Sequence, residues 1–212
     1  MSKTFPPAAI RAAWEAGQRD FGENRPEVAP EKLTAVQALL GGERPIWHMI
    51  GHIQRRKARL VIEHFDEVHA VDRLVLAEKL SQLAADASRP LPVLLECNVS
   101  GEASKYGFEL SGWESDPDLR GEFFATVARL LELPALRVNG LMTMAPIVDD
   151  PERVRPVFAS LRGLRDALRE RFPAHAWPEL SMGMTDDFEV AVEEGATLVR
   201  IGRAIFGQRP TP

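Results

Sequence analysis

The chain has 212 residues, of which 45% are hydrophobic and 27% charged, and its formal net charge is −5. This length suffices for one α/β domain with a full core but is short for two. A mildly acidic chain without a cationic segment has no general attraction for nucleic acid or anionic membranes, and no apolar run reaches the roughly 20 residues of a membrane span. The only cysteine, Cys97, rules out a disulfide within the chain and predicts a cytoplasmic location.

Strand-like and helix-like segments alternate along the chain, which is the pattern of a parallel α/β fold. We predict strands at Asp20–Glu23, Pro45–Gly51, Glu67–Asp72, Pro92–Val99, Arg137–Ala145, Glu179–Met184 and Thr197–Gly202. The predicted helices are Pro7–Gln18, Glu27–Leu40, Ile53–Phe65, Arg73–Ala87, Leu119–Leu133, Glu152–Phe172 and Asp186–Glu194.

The number of strands is one short of a closed (β/α)₈ barrel, which requires eight. The first predicted helix begins at Pro7, so a strand before it would have to end near Ser2 and Lys3. We therefore expect a single barrel domain over residues 1–212 that lacks an N-terminal strand. A barrel that is open on one side is the alternative.

The segment from Ser181 to Gly207 is the most informative about function. It predicts a strand end, a glycine-containing loop, a helix capped by Thr185, a second strand, a glycine turn and the start of another helix. Arg200 falls on the inward face of the second strand. A cation at that position needs a partner, because an unpaired buried charge costs several kcal/mol or more.

Two glycine-containing loops of this segment, Ser181–Met184 and Gly202–Ala204, suit the binding of a phosphate. Their backbone N–H groups fall in the last two strand-to-helix connections, where barrels recurrently bind phosphate. The pattern therefore predicts a phosphorylated ligand with Arg200 underneath it.

Two of the five lysines fall at the C-terminal ends of predicted strands, the face where barrel active sites are built. These are Lys3 and Lys105, and the other three are expected to be solvated on outer helices: Lys32, Lys57 and Lys79. A lysine near a phosphate site suggests a Schiff base with an aldehyde such as pyridoxal phosphate. A phosphate-binding aldolase that uses Lys105 is an alternative, although we expect Lys105 to hold its own loop through a carboxylate or a carbonyl.

The histidines show no convincing metal-ligand spacing. His48 and His52 are four residues apart but straddle a strand end and a turn, so we expect no metal pair there. No ligand spacing is seen for His64, His69 and His175. Glu96 lies on a strand and is expected to form interior hydrogen bonds rather than to act in acid–base catalysis.

A series of motifs stands in fixed order along the chain: Ser2–Thr4, Phe21–Asn24, Trp47–Gln54, Val68–Asp72, Asn98–Glu102, Ser104–Phe108, Gly140–Thr143 and Ser181–Gly207. In this series the chain resembles the pyridoxal phosphate homeostasis proteins, a family similar to the N-terminal domain of alanine racemase. The resemblance implies an α/β fold, a (β/α)₈ barrel of the TIM type. It also implies that the chain binds pyridoxal 5′-phosphate.

The residues that the resemblance assigns to cofactor binding are Lys3, Asn24, Met142, Ser181, Arg200, Gly202 and Arg203. Lys3 would form the Schiff base, and Arg200 would face the pyridine nitrogen. The phosphate would be held by Ser181, Gly202 and the backbone N–H of Arg203, while Asn24 and Met142 would line the pocket. No catalytic residue and no metal ligand is expected.

The chain departs from the family pattern in two places. A helix and a strand normally precede the lysine in this family, and here they are missing, which agrees with the strand count. We therefore expect an N-terminal truncation relative to the family. Arg25 also stands where an aromatic residue is common.

Arg200 bears on whether such a protein turns over a substrate. A guanidinium is always protonated and cannot accept a hydrogen bond, so a pyridine nitrogen facing it stays unprotonated and the ring is a poor electron sink. A racemase would also need a tyrosine from a second domain, whereas the only tyrosine is Tyr106, beside Lys105. We expect a monomeric, non-catalytic carrier of pyridoxal phosphate with PLP-dependent apoenzymes as partners. A PLP-dependent amino-acid racemase is the alternative.

Overall fold

The computed structural model describes residues 1–208, and parallel strands alternate with helices along them. The strands are β1 (Asp20–Glu23), β2 (Ile46–Met49), β3 (Glu67–Val71), β4 (Leu91–Asn98), β5 (Phe108–Glu109), β6 (Leu136–Met142), β7 (Glu179–Met184) and β8 (Leu198–Arg200). The α-helices are α1 (Pro7–Glu15), α2 (Ala29–Leu39), α3 (Ala58–His64), α4 (Leu74–Asp86), α5 (Pro117–Leu131), α6 (Arg155–Arg171), α7 (Phe188–Glu193) and α8 (Arg203–Phe206). Short 3₁₀ turns at Arg55–Lys57 and Pro151–Val154 precede α3 and α6.

The sheet has the strand order β1-β2-β3-β4-β6-β7-β8, and every neighbouring pair is parallel. β5 lies off this path and pairs with β4. All seven predicted strands are present, and the predicted TIM-type fold is confirmed. The helix predicted to start after the second glycine turn is present as α8, whereas β5 was not predicted, because two residues are too few to show a period.

The predicted outer helices pack an apolar stripe against the sheet. In α6 the buried residues recur at helical spacing: Phe158, Leu161, Leu164 and Leu168. Complete burial of each such side chain contributes roughly 1.5–3 kcal/mol. Of the helices within residues 1–208, none combines the length and the apolar character needed to cross a membrane.

Between β1 and β8 the described residues form no strand pairing, and the first two residues of the chain occupy the gap. The Met1 nitrogen donates to the carbonyl of Ile201 at 2.5 Å, and the Ser2 nitrogen donates to the carbonyl of Gly22 at 3.0 Å. These two bonds span from β8 to β1. They place Lys3 at the C-terminal end of the strands, the end on which it was predicted to lie.

One of the lysines predicted to be solvated is mostly shielded from solvent and paired instead. The ammonium group of Lys32 lies 2.7 Å from Glu23 Oε1 and 2.6 Å from the carbonyl oxygen of Ser2. Only 13% of the Lys32 side chain is exposed. The prediction for Lys32 was wrong because α2 packs over the end of β1, where the fully buried carboxylate of Glu23 needs a cation.

Candidate functional site

Arg200 lies at the end of β8 with its guanidinium held inside the barrel, as predicted. Its Nη1 donates to the carbonyl and to the hydroxyl of Ser181, each at 2.8 Å, and its Nη2 donates to the carbonyl of Thr143 at 2.8 Å. Burial lowers the pKa of Arg200 to about 10, against the opposing effect of Glu96 and Asp187. The side chain is therefore a fixed cation at neutral pH.

A chain of hydrogen bonds continues from Ser181 across the barrel interior. The Ser181 hydroxyl lies 2.9 Å from His69 Nδ1, and His69 Nε2 lies 3.0 Å from His48 Nδ1. His48 Nε2 in turn lies 2.9 Å from Asp20 Oδ1, at the start of β1. Because β3 and β7 are not neighbours in the sheet, the bond from His69 to Ser181 crosses the interior.

The two histidines in this series of hydrogen bonds differ in the direction of their pKa shifts. Burial lowers the pKa of His69 well below its ordinary value, and the nearby charges of His48 and Arg200 lower it further. Burial also lowers the pKa of His48, but hydrogen bonds to Glu67 and Asp20 outweigh it and raise the pKa above its ordinary value. A positive charge on this pair is therefore favoured at His48 over His69.

Lys3 lies between two clefts at the C-terminal ends of the strands. A cleft of about 560 Å³ on one side of Lys3 is lined by Thr185, Gly202 and Arg203. The other cleft is lined by Asn24 and several residues of the loops around it. The structure thus brings Lys3, Asn24, Gly202 and Arg203 to one face of the barrel.

The other three predicted residues lie beneath this face. Ser181 belongs to β7 and is fully buried, with its hydroxyl bonded to Arg200 and His69. Met142 is also fully buried, and it packs with Ala70 and Leu94 in a small apolar cluster apart from the main core. Neither Ser181 nor Met142 lines the clefts beside Lys3.

Thr185 lines one of the clefts beside Lys3, where the sequence predicted no role for it. It was expected to cap α7, but that helix begins later, at Phe188, after Asp187 has accepted a hydrogen bond from the Met184 nitrogen. The Thr185 hydroxyl instead accepts a hydrogen bond from the Gly202 nitrogen at 3.4 Å. In the sequence, this position could have been recognised from the threonine that directly follows the Met-Gly-Met run. Its hydroxyl then falls beside one of the glycine-containing loops that are predicted to bind phosphate.

Two buried polar atoms bear on whether the barrel fits an organic cofactor, and one of them belongs to Asn24, which lines a cleft beside Lys3. Asn24 Oδ1 and Glu96 Oε2 have no hydrogen-bond partner among the described residues. Burial raises the pKa of Glu96 to about 7, with a further increase from Asp72 and an opposing decrease from Arg200. A ligand that donates hydrogen bonds would satisfy such acceptor oxygens, whose isolation costs roughly 1–3 kcal/mol each.

The rim of the Asn24 cleft carries a stacked pair of rings. His52 lines this cleft and stacks on Tyr106, with 4.0 Å between ring centroids and 20° between the planes. His52 Nδ1 lies 2.8 Å from Asp72 Oδ2, which holds the imidazole in place. Lys105 is 3.7 Å from Glu102, so the prediction that it holds its own loop through a carboxylate is confirmed.

Comparison with known proteins shows similarity over nearly the whole chain. Residues 7–210 match the family described as alanine racemase, N-terminal domain. The pyridoxal phosphate homeostasis protein of Pseudomonas aeruginosa is 44% identical over 209 residues, which cover 99% of this chain and 83% of that protein. The protein of the same name from Aquifex aeolicus is 41% identical over 208 residues, 98% of this chain and 85% of the relative. The structure of PipY from Synechococcus elongatus with PLP bound is 37% identical, with a TM-score of 0.81, and the match covers 97% of this chain and 90% of PipY.

Proposed function

Because the chain belongs to the alanine racemase N-terminal domain family, and within it to the pyridoxal phosphate homeostasis proteins, we propose that it binds pyridoxal 5′-phosphate and takes part in its homeostasis. The observation that carries this proposal is the position of Lys3. It stands beside a cleft lined by Thr185, Gly202 and Arg203, at the end of the barrel where Arg200 is fixed below. When bound, the cofactor supplies an aldehyde that condenses reversibly with a primary amine.

Lys3 provides that amine in our proposal. The phosphate is held by the backbone N–H groups of Gly202 and Arg203 and by the hydroxyl of Thr185, which now contacts the Gly202 nitrogen. Ser181 supports the site from below, because its hydroxyl and carbonyl fix the guanidinium of Arg200. Asn24 lines the pocket, where its unpartnered carbonyl oxygen accepts a hydrogen bond.

Arg200 favours a carrier over an enzyme. Its pKa of about 10 keeps it protonated at neutral pH, and a guanidinium offers donors but no acceptor. A pyridine nitrogen held against Arg200 would therefore stay unprotonated, and the ring would withdraw electrons poorly. We propose that the protein holds its cofactor without catalytic turnover and passes it to PLP-dependent apoenzymes.

The test is cofactor binding followed by an assay for turnover. Purified protein mixed with pyridoxal phosphate should acquire the absorbance of a lysine-bound cofactor, and D- and L-alanine incubated with the loaded protein should not interconvert. Absence of the absorbance change would refute cofactor binding. Racemisation above the rate of free cofactor would establish the enzymatic alternative.

A further inference from the structure

Three side chains outside the proposed cofactor site converge inside the barrel. They are His48 of β2 and Glu67 and His69 of β3. His48 is paired with Glu67 in the parallel register of these strands, and His69 follows two residues later, so its side chain projects to the same face as that of Glu67. Glu67 is the first residue of β3, whereas the clefts beside Lys3 lie at the opposite end of the strands.

The three donor atoms lie close to the separations that a metal site requires. His48 Nδ1 lies 3.0 Å from His69 Nε2 and 3.3 Å from Glu67 Oε2, and the last two atoms are 4.0 Å apart. Zinc binds nitrogen and oxygen ligands at about 2.0–2.2 Å in a tetrahedron, which places ligand atoms about 3.3–3.5 Å apart. A small change of side-chain torsion would therefore bring all three atoms to bonding distance.

The outer nitrogens of both imidazoles already have the partners that metal-bound histidines require. His48 Nε2 lies 2.9 Å from Asp20 Oδ1, and His69 Nδ1 lies 2.9 Å from the hydroxyl of Ser181. Such partners fix the tautomer and leave the other nitrogen available to an ion. In both residues the nitrogen that remains is the one directed at the shared centre.

The local charge also suits a cation. Glu67 and Asp20 contribute two carboxylates beside the cluster, and the positive charge of Arg200 lies farther away, beyond Ser181. A cavity of about 210 Å³ is lined by both histidines and by Asp20, which gives room for a water molecule as a fourth ligand.

From this arrangement we infer that His48, Glu67 and His69 bind one divalent transition-metal ion of the Zn²⁺ class. The ion joins β2 to β3 and, through the bond of His69 to Ser181, supports Arg200. Its role is structural, because the site lies at the end of the barrel opposite Lys3. The inference does not depend on the proposed function.

The competing account is a purely hydrogen-bonded pair of histidines, and titration of metal-free protein with Zn²⁺ separates the two. We expect one ion per chain. Glu67→Gln keeps the shape of the side chain but loses the charge, and should weaken binding at least tenfold. His175→Gln removes an exposed histidine outside the cluster and should bind as the unmodified chain does. Co²⁺ in place of Zn²⁺ should give the visible absorption of a tetrahedral complex.

A second variant keeps the inference testable if Glu67→Gln does not fold. Asp20→Asn alters only the outer partner of His48, on a half-exposed side chain, and should weaken Zn²⁺ binding by about 10–100-fold. Repeating the titration on Lys3→Ala keeps the result separate from cofactor binding. No bound ion, equal affinity in Glu67→Gln and the unmodified chain, or equal losses in Glu67→Gln and His175→Gln would each overturn the inference.

Discussion

Glu96 and Arg200 are buried in the same barrel interior, and burial acts on each against its charged form. Arg200 keeps its charge because three hydrogen bonds hold it and its pKa falls only to about 10. One oxygen of Glu96 has no hydrogen-bond partner within residues 1–208, and burial raises the pKa of this carboxyl to about 7. Around neutral pH the guanidinium of Arg200 therefore keeps its positive charge, whereas the charge of the Glu96 carboxyl changes with pH.

The raised pKa of Glu96 predicts a specific pH dependence of stability. Between about pH 4.5 and 7 the folded protein holds a proton that the unfolded chain has lost, so the free energy of unfolding decreases as pH rises. Glu96→Gln should remove this decrease and be more stable than the unmodified, cofactor-free chain at pH 8 by roughly 2–3 kcal/mol. Urea denaturation from pH 5 to pH 8 measures the effect. The exposed control Glu122→Gln should keep the original slope, and an unchanged slope in Glu96→Gln would contradict the assignment.

The role of Lys3 is testable by chemical trapping. Borohydride reduction of the loaded protein, followed by mass spectrometry, should place the pyridoxyl group on Lys3. Lys3→Ala should abolish this adduct while changing the free energy of unfolding by less than about 1 kcal/mol, because its role is chemical. Lys105→Ala is the matched control. Because Lys105 pairs with Glu102, its replacement should leave the adduct on Lys3 intact. An adduct on Lys105 in the unmodified chain would overturn the proposal.

At the scale of the elements, the position of α7 depends on a close approach to β7. Gly183 has a φ of +90°, in the left-handed region, and a Cβ at this position would lie 2.6 Å from the Cβ of Ala191. The Cα of Phe188 would be 3.1 Å away. Only glycine therefore lets α7 lie close to the strand and position the Thr185 loop that precedes it.

Gly183→Ala should destabilise the protein by about 2–5 kcal/mol, the sum of backbone strain and overpacking. The control Gly112→Ala has a φ of +76° in an exposed loop and no atom within 4 Å of the added Cβ, so only strain of about 1–2 kcal/mol applies. Thermal or urea denaturation of Gly183→Ala and Gly112→Ala measures the two losses of stability. Equal losses would show that the contact with α7 is unimportant.

For the whole molecule, the first residues of the chain bridge the edges of β1 and β8 and so form part of the barrel wall. Ser2 contacts β1 through its backbone and its hydroxyl, which donates to Glu23 Oε1 at 2.7 Å. Lys32 bonds to both Ser2 and Glu23 from α2. The precision with which Lys3 is positioned depends on this buried cluster.

Lys32→Met should therefore affect both stability and cofactor binding. The change leaves the carboxylate of Glu23, which is fully buried, without a cation, at a cost of roughly 2–4 kcal/mol. The affinity for pyridoxal phosphate should decrease as residues 1–3 lose their anchor. Adding Glu23→Gln to this variant removes the unpaired carboxylate and should recover most of the stability. Thermal melts measure the stability, and cofactor titrations measure the affinity for pyridoxal phosphate. No recovery in the double variant would count against the ion pair as the cause.

Local patterns along the chain were enough to predict the seven barrel strands and most of the helices, because hydrophobic periodicity and glycine punctuation are properties of neighbouring residues. The inward side chain of Arg200 followed from alternation along one strand. The motif series identified the family, and with it the candidate residues Lys3, Gly202 and Arg203 at the C-terminal ends of the strands.

Tertiary structure alone decided the contacts between distant segments. The ion pair of Lys32 with Glu23 and the bond from Thr185 to Gly202 depend on how elements pack, which no periodicity records. The convergence of His48 with His69 depends on the register of β2 against β3, and a shift of one residue would turn either side chain to the other face. Sequence spacing therefore indicated no metal site, whereas the folded sheet brings the two imidazoles within 3.0 Å.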